Sequence, residues 1–410
     1  MAHTTRITEV LRNRNFFMLW IGQIVSALGD RFHQMAIMGI ILKSRGNVGE
    51  GLSRITFWSI LPFFLFSLFS GALSDRWSRK GILIGSDLAR AALVCAIPWV
   101  VGNSNSLNVV YPFLFAIGIF TCLFSPAKFS IIPGIVDDGH LLAANSLVTT
   151  SALLSVLAGT VAGSVVFDKM GFSASIYIDA FTYLFSAGTV WMIRVKKSEP
   201  LGIKQDTTLF SDVKAGMKYV CHNGQLKILI GFGALFWFVG VSFYIMVSEF
   251  TVKIWGFTTL TPLGALFTLM GAGLLAGSIL FGKYGNLVKR SILYTGSLVI
   301  MALGVTTFSF LCSYTAAFGV IFLIGVAGGV FLSPINADIH RIVPDKFRGK
   351  TFASKDVIVN AATVSPILAL GKLTTLVSVR TLLLCLGAGI LLAGIFVAWA
   401  SDRLNTITAK

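Results

Sequence analysis

A line of polar side chains runs through the first long apolar stretch of the sequence, residues 16–42. It consists of four positions at spacings of three or four residues: Gln23, Ser26, Asp30, and His33 or Gln34. This spacing places them on one face of a helix. An acid within an apolar helix is costly unless it serves a cavity or a relay. We therefore predict that Gln23 and Asp30 lie on a substrate or proton pathway; capping or pairing is the alternative role for Asp30.

His33 follows Asp30 by one helical turn, and histidine is the side chain whose charge changes most readily near neutral pH. A proton relay through both residues is one interpretation, and a hydrogen-bonded packing histidine is the other. The pair would also suit a transition metal, but no cysteine or histidine partner stands at a ligand spacing, so we predict no metal. The sequence also lacks a Walker-type phosphate-binding loop. We therefore expect no cofactor, and a gradient as the source of energy.

Other charged residues fall inside later apolar stretches. Asp87 and Arg90 are spaced i, i+3, which predicts an ion pair that neutralises both groups. For this pair we favour a structural or gating role over contact with substrate. Asp179 lies deep in its stretch without a partner that the sequence reveals. Glu249 falls near the end of another stretch, where we expect an exposed acid at the membrane interface.

The composition defines the class of protein that must hold these residues. Of 410 residues, 55% are hydrophobic and only 12% are charged, a balance that no water-facing surface of this size tolerates. We therefore predict an all-α integral membrane protein and no enzyme. One spacing typical of acyltransferases, His340 to Asp345, falls in a connection between stretches, and a chance match explains it.

Twelve apolar stretches are long enough to cross a bilayer as helices. They lie near 16–42, 52–74, 81–102, 107–127, 141–167, 172–193, 226–249, 259–282, 291–312, 315–338, 351–376 and 380–400. Lys and Arg are concentrated on the side that holds both termini, which predicts cytoplasmic termini. This asymmetry explains the net charge of +16, so we predict contacts with membrane lipids and no nucleic-acid partner.

The chain divides into two similar parts. We predict a six-helix half at 1–193, a cytoplasmic linker with an amphipathic segment at 194–225, and a second six-helix half at 226–410. Short motifs of the first half, such as a pair of basic residues and a Ser-Pro pair, recur in the second half at nearly the same separation. Paired repeats with a site at their interface are typical of alternating-access transporters. From the second half we assign Asn336 and Asp356 to the pathway.

Residues 71–80 read GALSDRWSRK. This run resembles the loop signature between helices two and three of the major facilitator superfamily, with Ser78 where the family has glycine. The resemblance implies the major facilitator fold, twelve transmembrane helices in two six-helix pseudo-repeats. It also implies that five residues form a gate with helix eleven at the cytoplasmic face: Gly71, Asp75, Arg76, Arg79 and Lys80.

Four further runs, 28–30, 87–90, 125–128 and 144–147, resemble a branch of this superfamily that holds macrolide and siderophore exporters and lysophospholipid transporters. The resemblance implies proton-coupled export of a hydrophobic or amphiphilic compound. Lysophospholipid transport across the bacterial inner membrane is the alternative; a metal exporter or a nontransporting membrane protein fits less well. The resemblance also implies that Lys128 contacts a headgroup. A monomer of this kind would be self-sufficient.

Overall fold

The computed structural model of the chain describes residues 7–44, 47–104, 106–195 and 217–408. Within these ranges it leaves out the side chains of 67–76, 138, 345–350, 353 and 400–408. The described ranges consist of α-helices joined by turns and short 3₁₀ segments, and they contain no β-strand. The prediction of an all-α protein is confirmed.

Most of the helices are joined by short connections; the longest connection lies between α6 and α7. In chain order they are α1 (Ile7–Arg12), α2 (Arg14–Lys43), α3 (Val48–Arg76), α4 (Arg79–Gly102), α5 (Tyr111–Ile131), α6 (Leu141–Trp191), α7 (Gly224–Lys253), α8 (Thr261–Tyr284), α9 (Arg290–Phe310), α10 (Tyr314–Ile342), α11 (Asp345–Leu376) and α12 (Val379–Thr408). Side chains cap some of these helices: Ser78 Oγ accepts the N–H of Gly81 at the start of α4, and Asn223 Oδ1 accepts the N–H of Leu226 at the start of α7.

Nine helical segments of the described residues are long and apolar enough to cross a membrane. One of them is α6, whose 51 residues would extend roughly 75 Å as a straight helix, more than twice the thickness of a hydrocarbon core. Gly171 breaks α6 with φ +84° and ψ −175°, a backbone conformation that is open to glycine and strained for other residues. The polar face of α2 lowers its hydropathy, and α2 and α3 are not among the nine. Twelve spans therefore stay a prediction.

The Cα positions group into two compact units. Unit 1 comprises Met1–Ile40 and Trp58–Leu209, and unit 2 comprises Ile41–Phe57 and Phe210–Lys410. Unit 2 thus includes the end of α2 and the first turns of α3, although both lie early in the sequence. The predicted linker at 194–225 falls largely outside the described residues.

In unit 1, α2 packs between the two parts of α6 that precede and follow Gly171. A methyl group on Gly22 would lie 2.2 Å from Thr189 Oγ1 in the later part, and one on Gly159 of the earlier part would lie 3.0 Å from Arg31 Cβ. The backbones approach closely at both glycines, so a larger residue would push the helices apart.

In unit 2, glycines line the contact between α8 and α10 from both sides. A methyl group on Gly277 would lie 2.0 Å from the carbonyl oxygen of Val326, and one on Gly325 would lie 2.1 Å from that of Met270. The four-residue spacing of Gly273 and Gly277 in α8 therefore serves close helix packing.

The start of α3 is held in unit 2 by a buried acid. Glu249 of α7 is fully buried, and its Oε2 accepts the N–H of Gly49 at 2.5 Å. Its Oε1 lies 2.5 Å from Nζ of Lys253. An N–H in the first turn of a helix has no acceptor within that helix, so the carboxylate satisfies a donor that would otherwise be unpaired. The expectation of an exposed interfacial acid was wrong because this contact comes from a segment remote in sequence.

Asn47 and Thr374 join the same helix start to α11. Thr374 Oγ1 donates to Asn47 Oδ1 at 2.9 Å, while Asn47 Nδ2 donates to the carbonyl oxygen of Thr374 at 3.0 Å. Asn47 Oδ1 also accepts the N–H of Glu50 at 2.9 Å, which caps α3. The first turns of α3 are therefore fixed to both α7 and α11 within unit 2.

Candidate functional site

Unit 1 contains a cluster of ionisable side chains that come from four helices. α2 provides Asp30 and His33, α4 provides Asp87 and Arg90, α5 provides Lys128, and α6 provides Asp179 and Tyr183. Five of these seven are buried, whereas Asp30 and Lys128 are only partly buried. The cluster therefore has a buried interior and an edge formed by one acid and one base.

His33 and Asp179 form a buried contact between α2 and α6. His33 Nδ1 lies 2.6 Å from Asp179 Oδ2, and the two residues are 5% and 0% exposed. Thr182 Oγ1 lies 3.2 Å from Asp179 Oδ1, within reach of a second hydrogen bond to the carboxylate. A buried carboxylate is stable only when its oxygens are satisfied, and α2 and α6 together provide that here.

Asp30 is held by α6 as well. The hydroxyl of Tyr183, which is fully buried, donates to Asp30 Oδ1. The Arg90 guanidinium lies between two rings, with Cζ 4.4 Å from the centroid of Tyr183 and 4.5 Å from that of Phe124. Such cation–π contacts gain strength when the cation is shielded from water. Tyr183 therefore links Asp30 to Arg90.

Asp87 and Arg90 form the ion pair that their spacing predicts. Arg90 Nη2 contacts Asp87 Oδ1. Arg90 is 2% exposed and Asp87 is 0% exposed. In a low-dielectric setting each charge depends on the other, because both groups are shielded from solvent. The structural or gating role of this pair stays a prediction.

The cluster has more acids than bases. Its three carboxylates are Asp30, Asp87 and Asp179, and its two strongly basic groups are Arg90 and Lys128, which interacts electrostatically with Asp30. One carboxylate oxygen of Asp30 lies within 4.8 Å of one carboxylate oxygen of Asp179. At a separation of 4.8 Å two negative charges repel by about 3.5 kcal/mol for an effective dielectric constant of about 20. A proton on His33 removes the excess negative charge.

The absence of a side chain at Gly29 leaves the space in which α6 approaches α2 and Asp179 reaches His33. A methyl group there would lie 1.9 Å from Thr182 Oγ1 and 2.4 Å from Asp179 Oδ1. We expect Gly29→Ala to lower the free energy of unfolding by about 1–3 kcal/mol and to reduce transport, because α6 must move away from α2. Thermal unfolding of the purified protein in detergent measures the first effect. Gly188→Ala on α6 is the control, since a methyl group there meets no atom within 4 Å, and equal midpoints for both variants would contradict the prediction.

The cluster also contains three side chains of the kinds that bind metal ions, those of Asp30, His33 and Asp179. Their possible ligand atoms lie within 4.8 Å of one another. The Nδ1 and Oδ2 atoms of His33 and Asp179 nevertheless bond to each other at 2.6 Å. Ligand atoms around an ion with bonds of about 2.0–2.2 Å stand further apart than that. The geometry of these residues fits a shared proton better than a metal ion.

The other predicted pathway residues lie elsewhere. Gln23 is partly buried on α2, and its Nε2 has no hydrogen-bond partner among the described residues. In unit 2, Asn336 Oδ1 accepts from Nζ of Lys355 at 3.0 Å. Asp356 is exposed beside Lys355. The structure therefore brings Asn336 into contact with a base of α11.

The predicted gate residues divide into two groups. Gly71, Asp75 and Arg76 belong to the last turns of α3, and their side chains lie outside the described part of the chain. Arg79 Nη1 donates to the carbonyl oxygen of Ser130 at 2.8 Å, and Lys80 Nζ donates to that of Trp191 at 2.6 Å. Both bases thus bind carbonyls at the C-terminal ends of α5 and α6, where the helix dipole favours cations. The gate stays a prediction.

Sequence reasoning did not assign roles to Asp179 and Tyr183. Both lie on one face of α6 at i and i+4, and only the fold reveals their partners on α2. A signal was present: an acid and a tyrosine at helical spacing in an otherwise apolar stretch match the acid and histidine of the first stretch.

Comparison with known proteins supports the resemblance drawn from the motifs. The sequence model of the Major Facilitator Superfamily matches residues 19–354. Macrolide efflux protein A of Streptococcus pyogenes is 27% identical over 296 residues, covering 71% of this chain and 72% of its own. Lysophospholipid transporter LplT of Salmonella arizonae is 24% identical over 414 residues, covering 98% of this chain and 99% of its own.

A similar solved structure is that of a bacterial homolog of the human lysosomal transporter Spinster, in an inward-facing and unoccupied conformation. It aligns with a TM-score of 0.73 and 13% identity, covering 97% of this chain and 98% of its own. At this identity the likeness shows the fold alone.

Proposed function

Because the chain belongs to the major facilitator superfamily, we propose that it is a secondary active transporter that exports a hydrophobic or amphiphilic compound in exchange for protons. Membership makes it an integral membrane transporter and not an enzyme, and its relatives include macrolide efflux and lysophospholipid transporters. Alternating access would expose the site to each side in turn.

The proposed topology has twelve spans and cytoplasmic termini. Counting α6 as two spans about Gly171 and adding α2 and α3 to the remaining candidates gives that number. The concentration of Lys and Arg on one side supports the orientation. The bacterial relatives favour the inner membrane. We propose a monomer as the functional state.

One observation carries the proposal of proton exchange. Asp30 is half-buried at the edge of a cluster whose interior holds His33 and two further acids. The other three helices of that cluster, α4, α5 and α6, are apolar enough to cross a membrane. Ionisable groups at such depth are retained where a proton or a charged substrate must pass. The cluster also has excess negative charge that one proton removes, which suits an exchanger.

Lysophospholipid transport is the second candidate, and Lys128 favours it. Lys128 is partly buried and interacts electrostatically with Asp30, so the edge of the cluster offers one cation and one anion to a headgroup. A zwitterionic headgroup carries the complementary pair of charges. LplT of Salmonella arizonae, a lysophospholipid transporter, also aligns with nearly the whole chain.

The test compares a lipophilic dye with labelled lysophosphatidylethanolamine in the same proteoliposomes, with and without an imposed proton gradient. Gradient-dependent dye movement without lipid movement supports the first candidate. Saturable lipid movement that ignores the gradient supports the second and rejects proton exchange. Asp30→Asn should impair transport more than the matched variant Ser26→Ala on the same helix, since only Asp30 bears a charge; equal impairment would remove Asp30 from the pathway.

A further inference from the structure

The acid that pairs with His33 is Asp179, although Asp30 is nearer in sequence. We propose that a single coupling proton is carried on Nε2 of His33, with Asp179 as its fixed counter-ion. This inference rests on the proposed proton exchange and deepens it, because it names the group that carries the proton and limits the cluster to one proton for each cycle.

The hydrogen bond decides which nitrogen accepts the proton. Asp179 Oδ2 lies 2.6 Å from His33 Nδ1, so Nδ1 carries hydrogen and donates to the carboxylate. The tautomer fixed in this way leaves the lone pair on Nε2. Loading adds a proton at Nε2 and gives an imidazolium that stays bonded to Asp179, while unloading removes the same proton and leaves neutral imidazole.

The balance of charge in the cluster favours one proton. Without it, the buried interior of the cluster holds two carboxylates, Asp87 and Asp179, and one base, Arg90, while Asp30 and Lys128 at the edge balance each other. With it, negative and positive groups are equal in number. A second proton would leave an excess positive charge, which is as costly to bury as the first imbalance.

The other acids are already engaged. Asp87 pairs with Arg90, and Asp30 accepts from the hydroxyl of Tyr183. Asp179 is fully buried and has only neutral Thr182 besides His33 as a hydrogen-bonding side chain among the described residues. The titratable and charged groups of the cluster around His33 are Asp30 on α2, Asp87 and Arg90 on α4, Lys128 on α5, and Asp179 and Tyr183 on α6.

The proton would also set how firmly α2 is held to α6. An imidazolium–carboxylate pair is a charge-assisted hydrogen bond and is roughly twice as strong as its neutral counterpart. The pair joins α2 to the part of α6 that follows the Gly171 break. Because loading strengthens one contact between two helices, the proton favours the conformations that keep this contact.

The experiment measures proton-driven dye uptake and gradient-free counterflow in proteoliposomes for His33→Gln, Asp179→Asn and the double variant. We expect all three to lose stimulation by the gradient while counterflow continues. The double variant leaves two neutral groups in the site, so it tests the proposal even where a single variant leaves a buried charge unpaired and fails to fold.

A matched control exists in unit 2. Tyr294 donates to Asp338 at 3.0 Å and Arg290 Nη2 lies 3.3 Å from the same carboxylate, so tyrosine, acid and arginine recur there without a histidine in hydrogen-bond contact among the described residues. Asp338→Asn should keep the stimulation by the gradient. Stimulation that survives in the double variant overturns this inference alone. A parent protein that moves dye without any response to the gradient overturns both this inference and the proposed proton exchange.

Discussion

Replacement of Arg90 by glutamine is expected to abolish transport and to lower the free energy of unfolding by about 3–5 kcal/mol. Arg90 is 2% exposed, pairs with Asp87 and lies between the rings of Phe124 and Tyr183. The substitution leaves the Asp87 carboxylate buried without a cation and removes both cation–π contacts. It also deprives Tyr183 of the cation against which its ring packs, and Tyr183 orients Asp30.

The double variant with Arg90→Gln and Asp87→Asn separates the two effects. Because it removes both charges, it should recover most of the stability but little of the transport. Thermal unfolding in detergent and dye uptake in proteoliposomes measure the two quantities on one preparation. Wild-type stability in the single variant would show that water hydrates Asp87, and recovery of transport in the double variant would show that the pair acts only in folding.

Replacement of Glu249 by alanine is the second large effect that we expect. The carboxylate accepts the N–H of Gly49 and lies 2.5 Å from Nζ of Lys253, and it is fully buried. Its loss leaves a helix N–H unpaired inside the protein, and hydrogen bonds to charged groups contribute about 1.5–3 kcal/mol. We expect a loss of at least that size in the free energy of unfolding.

Glu50→Ala is the matched control for this variant. Glu50 also pairs with a base at i+4, because Arg54 Nη2 lies 2.5 Å from its Oε1, but the two side chains are 36% and 46% exposed for acid and base. Exposed pairs contribute about 0–1 kcal/mol. Unfolding in increasing denaturant should therefore separate the two variants clearly. Similar losses would mean that water reaches Glu249 and that its contact with Gly49 is weak.

The sequence predicts the parts of this site that are local. The polar face of α2 and the pairing of Asp87 with Arg90 follow from helical spacing, which relates residues only three or four apart. Two apolar stretches that meet near Gly171 likewise predicted the break that the structure places in α6. In each case neighbouring residues carry all the information.

Contacts between distant stretches were beyond such reasoning. His33 and Asp179 are separated by 146 positions, and Gly49 and Glu249 by 200. Spacing along one helix shows which face a residue occupies but not which other helix lies against that face. Sequence reasoning therefore identified Asp30 and His33 as candidates, left Asp179 without a partner, and assigned Glu249 to the wrong environment.

The membership of Ile41–Phe57 in unit 2 has a consequence for work with fragments of this chain. A protein divided between residues 195 and 217 gives two polypeptides that do not coincide with the two packing units. The C-terminal fragment alone lacks the segment that binds Glu249 and Thr374. It should be degraded in cells when produced alone and rescued by co-production of the N-terminal fragment. In split-reporter designs, the N-terminal fragment should therefore include the hairpin between α2 and α3, and the C-terminal fragment needs that hairpin in order to pack.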